Sequence, residues 1–272
     1  MSVAVLTDSA ADLPPVVAAE HGISVVPMIV SFAAGSFRDG LDLPPEGFWE
    51  RATTEVPTTA SPSPETIGAA IDEAAADGAD GVVAVHVSST LSRTVESARM
   101  AAMKAALPVE VVDSRSVSLG QGLVAVAAAE AAAVGGSFQE VARAAAAAAR
   151  LVDVVAFLET VEFLKRGGRV GRARAALSDL LRIRPVLTLE DGEPTLVARA
   201  RTRGRAIDEV LTRVGGAARA AGVLHAGAPE STAVAEEVAE RCGVAPLVSL
   251  VGAVTGTHLG PGALGVAVLR LD

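Results

Sequence analysis

One stretch constrains this chain more than any other: Val82-Val83-Ala84-Val85-His86-Val87, then Ser88-Ser89-Thr90-Leu91-Ser92-Arg93-Thr94, then a helical run. A Val-rich run with no polar alternation reads as a strand buried on both faces, as in a parallel sheet with helices above and below. The loop behind it places three serines and two threonines where a helix must begin. The first turn of any helix has N–H groups without partners, and its dipole favours an anion there. Two readings therefore stand for Ser92: a helix cap, or part of a pocket for a carboxylate or phosphate.

The rest of the chain extends this strand-helix alternation. Residues 3–7, 23–32, 82–87 and 109–112 read as strands separated by helices. Ser63-Pro64 opens one helix, and Asp12 or Ser9 is expected to cap the helix containing Pro14. Two Ala-rich helices follow, over 119–134 and 138–151, with Gly135-Gly136 between them. A parallel-sheet α/β domain is predicted over residues 1–155. Beyond it, Asp191-Gly192 between two apolar runs signals a β-hairpin. A second α/β domain with a smaller mixed sheet is predicted over residues 156–272. Its further expectations are a helix ending at Leu181, a helix from Arg205 to about Ala220, and a loop over 256–262 before a last strand.

Half of the 272 residues are apolar, but only 3% are aromatic, so Leu and Val must supply the core around closely packed Ala-rich helices. The formal charge of −9 excludes broad nucleic-acid binding, which needs basic surface to displace counterions. Cys242 is the only cysteine, which rules out an intrachain disulfide and a cysteine-based zinc site. The most apolar run, 122–134, is short and carries Glu130, so no integral membrane segment is expected. With no basic leader before the first strand, a soluble, cytoplasmic protein is predicted.

Positive charge is nevertheless concentrated in two places: Lys165-Arg166-Gly167-Gly168-Arg169-Val170-Gly171-Arg172-Ala173-Arg174, and Arg199, Arg201, Arg203 and Arg205. Arginine forks suit phosphate, and the glycines permit close backbone approach, yet a solvated basic turn has the same composition. No Gly-Lys-Ser/Thr ends the segment, so it is not a P-loop. His258 sits beside Gly260-Pro261-Gly262 and is suited to hydrogen-bond a carboxylate; as a lone loop histidine it equally reads as polar surface. No metal-ligand spacing and no Gly-x-Ser-x-Gly elbow is present, and Ser92 has no evident base.

Seven motifs in order then carry a resemblance. They are Asp8-Ser9 with Asp12-Leu13-Pro14, the Thr59–Ser63 loop, Ser89 to Thr94 with Ser97-Ala98, Asp113-Ser114, Leu164 to Arg169, Arg201-Thr202, and His258 to Gly262. Together they resemble the DegV family from end to end. The resemblance implies two α/β domains enclosing an acyl-chain tunnel, with a long-chain fatty acid as ligand and no other cofactor. It implies that Thr59, Ser92 and His258 hold the carboxylate, with no catalytic residue and no metal. It further implies a fatty acid kinase subunit as partner, which phosphorylates the presented carboxylate, with Arg169 and Arg201 facing kinase or phosphate. This sequence departs from the family pattern at Ala60, Ser61 and Arg93, which bears on ligand preference. The competing readings are a stand-alone phosphotransferase or hydrolase using the same anion pocket, and a lipid-sensing regulatory module.

Overall fold

A computed structural model describes residues 2–52, 54–174 and 183–271. Strands β1 (Val3–Asp8), β2 (Ile23–Val26), β3 (Ile29–Phe32), β4 (Gly35–Arg38), β5 (Thr58–Ala60), β6 (Gly81–His86) and β7 (Val109–Asp113) occupy the first half. Its helices are α1 (Pro15–Glu20), α2 (Pro45–Ala52), α3 (Pro64–Ala76), α4 (Thr94–Ala102), α5 (Leu119–Ala133) and α6 (Phe138–Leu151). The second half holds β8 (Val152–Phe157), α7 (Glu162–Arg166), β9 (Arg184–Glu190), β10 (Glu193–Ala200) and α8 (Arg203–Leu211). It ends with β11 (Ala218–His225), α9 (Ser231–Cys242), β12 (Leu247–Leu250), α10 (Ala253–Leu259) and β13 (Leu264–Arg270).

The parallel sheet runs β2-β1-β6-β7, as the Val-rich strand predicts. Strand periodicity assigns its two faces. Val82 and Ala84 of β6 join Ile67 and Ile71 of α3, while Val83 and Val85 join α5 and α6. The cap Ser63 accepts from the N–H of Thr66 to start α3, and Ser137 with Glu140 forms a capping box on α6. Helix α5 is buried from Leu119 through Ala129 and there apolar all round except for Gln121, whose amide donates to Thr7 Oγ1 at 3.0 Å. A helix of that kind needs protein on every side. It lies between the sheets, packed on β1 and β6 from one and on β8, β11 and β13 from the other.

Several expectations are corrected. The mixed sheet is the larger of the two, with six strands in the order β10-β9-β8-β13-β11-β12. Its size comes from antiparallel pairing of β13 with both β8 and β11, which sequence distance conceals. Residues 23–32 form two strands: the chain breaks at Pro27-Met28, and β3 leaves to build a small antiparallel sheet, β4-β3-β5. Helix α8 stops at Leu211, because Gly215-Gly216 follows and Ala218–Ala220 enter β11. Neither Asp12 nor Ser9 caps α1, whose N-cap is Pro14 without a side-chain bond. Asp12, left-handed at φ 49°, instead accepts from the N–H of Gly252 at 2.8 Å. The helix expected up to Leu181 falls on residues outside those described.

Candidate functional site

Between the mixed sheet and strand β5, beside the loops that leave the parallel sheet, lies a pocket enclosing about 880 Å³ of empty space, its open mouth included. Its walls are aliphatic: Met28 and Val87 from the first half, Val154, Leu158 and Leu187 from the second, with Leu259 of α10. Polar side chains among the lining residues are few. Thr59, Ser61, Ser92, His258 and Arg169 are among them.

These five reach the pocket from separate elements. Thr59 comes from β5, and its Oγ1 lies 3.1 Å from His258 Nε2. Ser61, one residue past β5, pairs its hydroxyl with that of Ser92 at 2.8 Å. Ser92 also meets Thr94 Oγ1 at 2.8 Å. The cap of α4 is Arg93, with no side-chain bond, while Ser92 Oγ accepts the Thr94 N–H at a long 3.4 Å, so Ser92 both steadies the helix start and lines the pocket. Arg169 is half-buried and donates from Nε to Leu91 O (3.2 Å) and from Nη1 to Gly167 O (2.6 Å).

His258 lies on a helix and not in a loop. Helix α10 starts because the Asp39 carboxylate accepts the Ala253 N–H at 3.0 Å, and it ends where Gly260 turns to φ 75°. Small residues are the only helical signal in that stretch, so the helix depends on the buried Asp39. Burial, and after it the positive charge of Arg169, push the His258 imidazole down to about 4. At neutral pH the ring is uncharged. Its Nδ1 is buried without a partner, facing Gly167, where a Cβ would lie only 2.0 Å from it. Burial also pushes Asp12 up to about 7 and raises Asp39; the two carboxyl groups flank Gly252 at the root of α10.

The candidates from sequence are thus distributed unevenly. Thr59, Ser92 and His258 come together, and Arg169 joins them at the pocket wall. Arg201 is exposed and lies outside the lining, as does Arg93, which pairs with Glu96 at 2.8 Å. Arg203 turns inward to Glu230 (2.7 Å), Glu159 and the Gly262 carbonyl (2.8 Å), so one member of the second basic cluster is a structural brace. Sequence reasoning missed Ser61 as a pocket hydroxyl. It also missed the wholly buried pair of Asp8 and His86, 2.9 Å apart, in which Asp8 additionally accepts the Val87 N–H. The signal was present, since a histidine inside an all-apolar strand needs a buried partner. Among the described residues no three His, Cys, Asp or Glu gather to hold a metal. No described helix is long and apolar enough to cross a membrane.

An apolar cleft beside the mixed sheet, closed at one place by hydroxyls and a neutral imidazole, is suited to a largely aliphatic ligand with a small polar end. The chain belongs to the DegV family: the family profile, described as "Uncharacterised protein, DegV family", matches residues 2–271. It is 38% identical over 274 residues to a DegV domain-containing protein of Streptomyces coelicolor, covering 98% of each chain. A solved structure described as fatty acid binding of a DegV family protein from Thermus thermophilus aligns with a TM-score of 0.92 at 35% identity over 100% of both chains. DegV of Bacillus subtilis, described as a fatty acid binding protein, aligns at 0.88 and 31% identity, covering 99% of this chain and 100% of that one.

Proposed function

We propose that this protein carries a long-chain fatty acid, with the acyl chain in the aliphatic pocket and the carboxylate at Thr59, Ser92 and His258. One observation carries the reading: an aliphatic cavity has its hydroxyls and its imidazole clustered together. Each CH₂ withdrawn from water contributes about 0.8 kcal/mol, so the walls supply affinity and the cluster supplies orientation. A carboxylate only accepts hydrogen bonds, and the cluster offers donors: the Thr59 and Ser92 hydroxyls, with Ser61 behind Ser92. Arg169 adds the positive charge. The DegV structures described as fatty-acid-binding support the same ligand class. The two domains predicted over 1–155 and 156–272 then each contribute one wall, with β8 (Val152–Phe157) going whole to the second.

In this reading the protein is not itself an enzyme. It presents the carboxylate to a separate fatty acid kinase in the cytoplasm, and the exposed Arg201 belongs to the surface that meets the kinase or the acyl phosphate, as does Arg169 at the pocket wall. The chain has no Gly-Lys-Ser/Thr phosphate loop, so nucleotide binding falls to the partner. Native mass spectrometry of the purified protein, followed by lipid extraction, tests the carrier. A fatty acid bound one-to-one in the native chain and depleted in Ser92→Ala is the expected result. A native chain that neither contains nor takes up fatty acid overturns it. Turnover of ATP or an acyl ester by the chain alone would favour an enzyme instead.

A further inference from the structure

The pocket is bounded partly by the β9–β10 hairpin, whose Leu187, Leu189 and Pro194 line it. Its turn, Asp191-Gly192, has both residues at positive φ (52° and 83°), the geometry of a tight two-residue hairpin. The turn rests on the loop between β6 and α4, the same loop that carries Ser92. The carbonyl of Gly192 accepts two hydroxyls from that loop, Ser88 Oγ at 3.0 Å and Thr90 Oγ1 at 2.6 Å. The fit is close: a Cβ on Gly192 would stand 2.3 Å from Ser88 Oγ. Asp191, exposed, lies between Arg115 (2.7 Å) and Arg172 (3.4 Å).

The two hydroxyl bonds tie the mixed sheet to the loop that carries Ser92, and the Arg115 pair ties it to the loop after β7; Arg172 belongs to the same half as the turn. These ties differ in kind from the packing along α5. Along α5 the two halves share buried apolar surface, whereas here the fastening is one carbonyl, two hydroxyls and surface ion pairs. Surface ion pairs are weak, and a few side-chain hydrogen bonds open far more readily than a packed core. Resting on the fatty-acid reading above, we propose that the Asp191-Gly192 turn is the fastening of the pocket, and that acyl chains exchange by its release from Ser88 and Thr90. Lifting the turn moves Leu189 and Pro194 off the chain without disturbing the Thr59–His258 pair on the far elements.

The test follows binding and displacement of the fluorescent fatty acid cis-parinaric acid by stopped flow. Thr90→Val and Ser88→Ala/Thr90→Val keep the loop but remove the hydroxyls. Both association and dissociation are expected to accelerate about tenfold while Kd stays within about twofold, and Thr90→Ser is expected to restore native rates. Arg115→Ala, which removes one ion pair without touching the hydroxyls, is expected to accelerate both rates by a smaller factor. Unchanged rates in all of these variants overturn the proposal. A slower association or an affinity lost through dissociation alone also overturns it, making the turn a support for Ser92 and not a gate. Native protein that binds no parinaric acid overturns the carrier reading and this proposal with it, an outcome distinct from normal binding with unaltered exchange.

Discussion

At the scale of single residues, two buried titratable groups act on stability in opposite directions. Asp12 holds its proton up to about 7 in the folded chain, while an unfolded aspartate loses it near 3.8. Between those values the folded state binds more protons, so stability falls as pH rises. His258 behaves the other way. Folded it protonates only at about 4, unfolded at 6.5, so stability rises with pH across that window. Each contribution is on the order of 3–4 kcal/mol, and between pH 4 and 6.5 they largely offset. Chemical denaturation from pH 4 to 6.5 is therefore expected to show Asp12→Asn tilting the stability profile upward with pH relative to the native chain, and His258→Asn tilting it downward. Parallel profiles in both variants would refute the assignment. The raised Asp39 adds to the Asp12 trend. None of this was legible in the sequence, where Asp12 reads as a helix cap and His258 as a loop residue. A pKa depends on how much water the fold removes, and composition does not report that.

At the scale of elements, α10 and α7 show how one short helix aims another's side chain. Gly167, the residue that ends α7, lies against the His258 ring and leaves no room for a methyl group. Its backbone is ordinary for any residue, so Gly167→Ala carries no backbone penalty and acts through the ring it displaces. Fatty-acid affinity is expected to drop at least about tenfold by titration calorimetry; an unchanged Kd would show that the imidazole has no part in holding the carboxylate. Where an element's signal is local, sequence reading works. Ser63-Pro64, Gly135-Gly136 and Asp191-Gly192 each mark a boundary through near-neighbour geometry. It fails where the boundary is imposed from afar. Helix α10 is started by Asp39, more than two hundred residues earlier, and α8 gives way to β11 because Ala218 and Ala220 find partners on β13.

At the scale of the molecule, α5 is the common core of both sheets. Leu123 on it is 1% exposed, so Leu123→Ala is expected to cost about 2–5 kcal/mol in denaturant unfolding, as large-to-small core changes do. Because α5 packs on both sheets, the loss should appear in a single transition. Two separated transitions would mean that the halves unfold independently.

The sequence by itself determined the α/β class, the parallel sheet with its two covered faces, the Ala-rich pair α5 and α6, and the set of hydroxyls from which the site is drawn. These follow from periodicity, caps and turn chemistry, which are interactions between near neighbours. Tertiary structure alone decided that Thr59 meets His258 across 199 residues, that Ser61 joins Ser92, and that Arg169 turns to the pocket while Arg203 braces the frame. It also decided that the mixed sheet is the larger. Convergence, desolvation and charge state are properties of contacts between distant segments, and those contacts exist only once the chain has closed on its core.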